Sequence, residues 1–68
     1  MERKFAKKLF ILRTQKGLSQ NRLAKYIRVS PSSIFRWENS KVDINALELT
    51  KIAKFFGVST DYLLGLED

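Results

Sequence analysis

Arg36 offers a planar fork of N–H donors, Ser32 a hydroxyl that both donates and accepts, and neither histidine nor cysteine occurs anywhere in the 68-residue chain. A guanidinium suits paired acceptors, and a hydroxyl suits most polar edges. There is no glycine-rich phosphate loop, and the acidic residues are scattered through helix caps and the C-terminal end. Nucleophilic and acid–base catalysis therefore lack their usual groups, and no enzyme activity, cofactor or metal site is expected. The chemistry on offer is recognition, and the charge gives its target a sign. Thirteen Lys and Arg stand against seven Asp and Glu, a net charge of +6, which on so small a body favours a polyanionic partner.

Two short helices joined by a tight corner have to position these side chains. Ser19 caps the first, with Leu23, Ala24 and Ile27 at helical spacing behind it. Ser30 caps the second, Pro31 occupies a first-turn position where its missing N–H costs nothing, and Ile34 and Trp37 continue an apolar face. The two helices are expected at about residues 19–27 and 30–38. Only about three residues separate them, so they must cross steeply, and Ala24 is the small side chain that lets the backbones approach. With Ile34 and Trp37 committed to the core, Pro31, Ser32, Ser33, Phe35 and Arg36 are left on the exposed side.

This stretch, QNRLAKYIRVSPSSIFRWEN, resembles the helix-turn-helix of the phage repressor and Cro-like (XRE-type) DNA-binding family, and the resemblance extends over nearly the whole chain. Leu23, Ala24, Ile27, Val29, Ile34 and Trp37 fall where that family has structural apolar or small residues, and WEN matches the end of its recognition helix. The family usually has glycine in the corner, where this chain has Arg28. A non-glycine residue with positive φ costs on the order of 1 kcal/mol, so either the corner carries strain or its geometry departs from the family's.

The remaining elements follow from caps and periodicity. Arg3 to Lys16 reads as a helix with Phe5, Leu9 and Leu12 on one face, Ala6 and Arg13 on its flank, and Gly17 as C-cap. Lys4, Lys7, Lys8 and Ile11 point mostly the other way. Asn45 and Glu48 have capping-box spacing before the stripe Leu49, Ile52, Ala53 and Phe56, which Gly57 ends. Ser59 caps a short last helix that Gly65 stops. The expected fold is all-α, a compact five-helix single domain over residues 1–68, lambda repressor-like by resemblance. A chain of this size buries only about 60% of its unfolded surface, so packing has to be efficient. No apolar run approaches the roughly 20 residues of a membrane span, and a cytoplasmic protein, bacterial or phage-encoded by resemblance, is expected.

For a duplex-DNA partner, Arg36 is the leading base reader, because its fork matches the two acceptors of guanine, a contact worth roughly 1–3 kcal/mol of discrimination. Ser32 is the next, and Pro31 or Phe35 suits a thymine methyl. For Ser33 an extra N-terminal backbone bond is the favoured role. The resemblance implies that Gln20 anchors to a phosphate and that Asn39 and Lys41 hold the backbone across the groove; Arg22, Asn21 and Lys16 are weaker phosphate candidates. It also implies a structural ion pair between Arg13 and Glu38. A homodimer on two half-sites is expected, with Phe55, Tyr62 and Leu66 as the preferred contact and Phe10 with Ile11 as the alternative. The rival reading is a protein-interaction module, an antitoxin or adaptor, for which Phe10, Ile11 and Phe55 would supply an apolar patch. Repression is the commonest role that the resemblance implies, with the chain either a complete minimal regulator or the N-terminal part of a longer one.

Overall fold

A computed structural model describes residues 3–39 and 44–67. It contains five helices: α1 (Arg3–Gln15), α2 (Gln20–Ile27), α3 (Pro31–Asn39), α4 (Ala46–Phe56) and α5 (Thr60–Leu64). The described residues include no strand. Their one core is built from Phe5 and Leu9 of α1, Leu23, Ala24 and Ile27 of α2, Ile34 and Trp37 of α3, Ile52 and Ala53 of α4, and Leu63 of α5. Each helix turns its apolar stripe inward because only together can five short helices cover enough apolar surface to offset their ordering entropy. α2 and α3 share the most extensive contact, and α1 packs against α3 and α5.

The helix starts are set by local chemistry. Ser19, Asn45 and Ser59 each accept a hydrogen bond from the third residue on, satisfying one orphan N–H of α2, α4 and α5. Ser30 does the same for α3, with Ser33 N donating to its Oγ at 3.3 Å. At Asn45 one half of the expected capping box forms, Glu48 N donating to Asn45 Oδ1 at 2.8 Å. The carboxylate of Glu48 makes no return bond among the described residues. The box is therefore a simple N-cap, because the local turn alone fixes the side chain of Asn45 but not the longer one of Glu48.

The helix ends share one device. Gly17, Arg28, Gly57 and Gly65 all have φ between 60° and 77°. After each of them the next N–H reaches back five residues: Leu18 to Arg13 O, Val29 to Ala24 O, Val58 to Ala53 O and Leu66 to Asp61 O. This closing motif needs a left-handed residue and favours an apolar one after it. Three of its copies run straight into the next N-cap, as Gly17-Leu18-Ser19, Arg28-Val29-Ser30 and Gly57-Val58-Ser59, so one three-residue solution turns three of the corners. At Arg28, φ 60° and ψ 52° answer the question that the sequence posed. The corner keeps the left-handed geometry and the arginine bears its cost, on the order of 1 kcal/mol.

The first helix ends one residue before the expected Lys16, which lies in the turn with Gly17. Of the loop expected from Ser40 to Ile44, residues 40–43 lie outside the described residues, and Ile44 is outside any helix.

Candidate nucleic-acid interface

α3 has two faces of different character. Ile34 and Trp37 are buried, whereas Pro31, Ser32, Phe35 and Arg36 are all exposed. Positions 31, 32, 35 and 36 recur at one helical turn and so form one stripe. The four residues expected to read bases thus lie together on one open face. Nine residues at 1.5 Å each make α3 about 13 Å long, close to the roughly 12 Å width of a B-DNA major groove. Ser32 Oγ lies 3.0 Å from Ser30 Oγ, and Ser33 Oγ lies 3.1 Å from the same atom. Ser33 is half-buried, so its bonds are to the helix start.

A polar node fixes this stripe from behind. Arg13 Nε donates to Glu38 Oε2 at 2.7 Å and Nη2 to Glu38 Oε1 at 3.0 Å, a bidentate pair, while Nη1 donates to the carbonyl of Leu18 at 2.8 Å. The side chains are 11% and 3% exposed, so water cannot screen the pair as it would at the surface. Gln20 Nε2 adds a third donor to Glu38 Oε1 at 3.0 Å. Helices α1, α2 and α3 therefore converge on one carboxylate, and the α1–α2 corner is tied to it through Leu18. Burial of two charges costs about as much as their attraction returns, so the node's contribution is to fix orientation more than to add net stability. It sets the rotation of α3 and hence which side chains the open face presents.

The expected phosphate contacts are placed as follows. Gln20 begins α2 and is half-buried. One N–H of its amide is engaged by Glu38, and an amide NH₂ has a second. Asn39 is exposed at the end of α3, where its Nδ2 donates to Phe35 O at 2.9 Å. Lys41 lies outside the described residues. Asn21 and Arg22 are exposed on the first turn of α2, and with Lys25 and Tyr26 they border a shallow surface groove. Lys16 is exposed, its Nζ 5.6 Å from the ring centre of Phe55, so it leans toward α4.

The residues expected at a self-contact differ in exposure and neighbours. Phe55 is half-buried, stacked on Tyr26 at 5.5 Å and edge-on to Phe56 at 5.0 Å. Tyr62 is half-buried under the ammonium of Lys8, 4.1 Å from its ring centre. Leu66 is 71% exposed, and Phe10 and Ile11 on α1 are 50% and 44% exposed.

Sequence reasoning missed two features. The bond from Gln20 to Glu38 joins residues 18 apart, and a glutamine carries no local sign of such a partner. The Tyr26–Phe55 stack had a fainter signal, since both aromatics fall off the apolar stripes of their helices.

None of the described helices is long and apolar enough to cross a membrane. A family model described as "Helix-turn-helix" matches residues 9–63, which takes in all but the start of α1 and the end of the chain. The chain is 44% identical over 64 residues to the HTH-type transcriptional activator BcrR of Enterococcus faecalis, covering 94% of this chain and 31% of that protein. It is 37% identical over 60 residues to the SPbeta prophage-derived uncharacterized HTH-type transcriptional regulator YonR of Bacillus subtilis (strain 168), covering 88% of this chain and 56% of that one. It thus spans about a third and just over half the length of these two relatives. On the match from α1 to α5, the buried Arg13–Glu38 pair and the open face of α3, the chain belongs to the Cro-like, XRE-type family of helix-turn-helix DNA-binding transcriptional regulators.

Proposed function

We propose that the chain binds duplex DNA at a specific operator, as a dimer on a two-fold or near two-fold site, and represses transcription by occupying it. The observation that carries this reading is the construction of α3, whose buried face is locked by Arg13, Glu38 and Gln20 while Pro31, Ser32, Phe35 and Arg36 stand together in the open. In this reading α3 enters the major groove N-terminus first. Arg36 reads guanine, Ser32 a neighbouring polar edge, and Pro31 or Phe35 a thymine methyl. Gln20, Asn39 and Lys41 hold phosphates, with Asn21, Arg22 and Lys16 as further contacts, and release counterions as they do so.

One recognition helix covers too few base pairs to mark a unique operator, which favours two protomers about 34 Å apart along the duplex. Weak self-contact through Leu66, Tyr62 and Phe55, or through Phe10 and Ile11, is enough when adjacent half-sites bring the protomers together. Sedimentation on duplex with the variants Phe55→Lys and Ile11→Lys distinguishes the two surfaces, because only the true one loses the second protomer while its monomer still folds.

Activation is a second reading, favoured by the relative named as an activator that matches 94% of this chain. Where the operator lies relative to a promoter decides between the two, and a reporter carrying the selected site upstream of or across the promoter separates them. DNA binding itself is tested by titrating mixed-sequence and selected duplexes across a salt series. Log affinity should fall linearly with log salt, by about 0.9 per phosphate neutralised. A flat response would remove this reading and leave the rival of a protein-interaction module.

A further inference from the structure

The four left-handed helix ends form an internal control. Gly17, Gly57 and Gly65 fill three of them, and Arg28 fills the fourth, at the mouth of α3. At Gly17 and Gly57 a Cβ would meet nothing within 4 Å, so these corners take glycine for its backbone freedom and not for lack of room. The closing hydrogen bond at Arg28, from Val29 N to Ala24 O at 3.0 Å, matches those after Gly17 and Gly57 at 3.1 and 3.0 Å. Glycine would therefore make the same corner without strain. The side chain of Arg28 is exposed, so it offsets that strain with no buried contact, and strain that persists without a structural return points to function.

The position suggests which function. Arg28 stands three residues before Pro31, at the end of α3 that enters the groove first in the reading above. It also ends a series of exposed cations at three-residue spacing, Arg22, Lys25 and Arg28. Arg22 and Lys25, three apart on α2, repel one another in the free chain, and a polyanion relieves that repulsion. From these observations we propose that Arg28 is a phosphate-contacting residue, its guanidinium closing on the DNA backbone beside the groove that α3 enters. This inference rests on the DNA-binding reading and adds to it a contact at the corner, where glycine is the family's usual residue.

The test compares the parent chain with Arg28→Gly and Arg28→Lys. Thermal melting is followed for all three, and affinity for a selected duplex and a mixed-sequence duplex is measured across a salt series. Arg28→Gly should melt about 4–8 °C higher, as release of the corner strain implies for a domain of this size. It should nevertheless bind both duplexes several-fold more weakly, with a salt slope smaller by about 0.9. Arg28→Lys should keep the parent's slope. A parent that binds duplex while Arg28→Gly matches it in affinity and slope would overturn the proposal and leave the DNA reading standing. A loss confined to the selected duplex would overturn it too, by making Arg28 a base reader. A parent with no salt-dependent binding would strike the DNA reading itself.

Discussion

The two ends of α3 are built on opposite principles. Its C-terminal half is pinned, with Trp37 in the core and Glu38 held by Arg13 and Gln20 from two other helices. Its N-terminal half is joined to α2 through a strained corner and capped by Ser30, and it anchors only Ile34 in the core while Pro31, Ser32 and Phe35, with Arg36 just beyond, stand exposed on the opposite face. Both halves belong to one nine-residue helix, so rigidity at one end becomes orientation at the other. A helix that reads base edges must not rotate, since a small rotation would replace the exposed stripe by its neighbours. Fixing the far end achieves this without covering the reading face.

The largest effect on stability is expected at the pinned end. Arg13→Ala leaves the carboxylate of Glu38 buried with only Gln20 beside it, and should cost about 3–5 kcal/mol. For a chain of this length total stability is about 3–10 kcal/mol, so the variant should lose from about a third to all of it. Urea denaturation measures it, and a loss below about 1 kcal/mol would make the pair behave as an exposed one.

At the presented end the largest effect should be on binding. Arg36→Ala should leave stability within about 0.5 kcal/mol of the parent and cost roughly 1–3 kcal/mol on the preferred duplex, with relaxed preference at one base pair. Uniform weakening on every sequence would reassign Arg36 to a phosphate and make Ser32 the leading reader. Ser30→Ala removes the cap of α3 and the hydroxyl that both Ser32 and Ser33 meet. It should lower stability by about 1 kcal/mol, read as a shift in the urea midpoint. Phe35→Ala should change stability least, by about 0.5 kcal/mol or less, because the side chain is 56% exposed; a larger loss would mean that Phe35 belongs to the protein's own packing.

The same contrast explains what could be read from the chain. Helix starts at Ser19, Asn45 and Ser59 and the ends at Gly17, Gly57 and Gly65 were legible because a cap acts within three or four residues. The core stripes were legible because a buried face must repeat with the helix. The left-handed geometry at Arg28 was visible only as an alternative, since an arginine does not announce a positive φ as a glycine does. The bond from Gln20 to Glu38 was not legible at all, because it depends on how α2 is set against α3. On the open face the sequence indicated which side chains are free, and Arg36 and Ser32 stood out by their donors. Which bases they meet is a property of the complex, which the free chain does not contain.

If the face made by Pro31, Ser32, Phe35 and Arg36 reads sequence in duplex DNA, selection of bound duplexes from a random pool should reveal it. One motif should be enriched, arranged as two inverted half-sites about one helical turn apart, with a guanine in each half whose preference is lost in Arg36→Ala. A parent pool that stays unenriched through successive rounds, at salt where the protein still binds duplex, would contradict it.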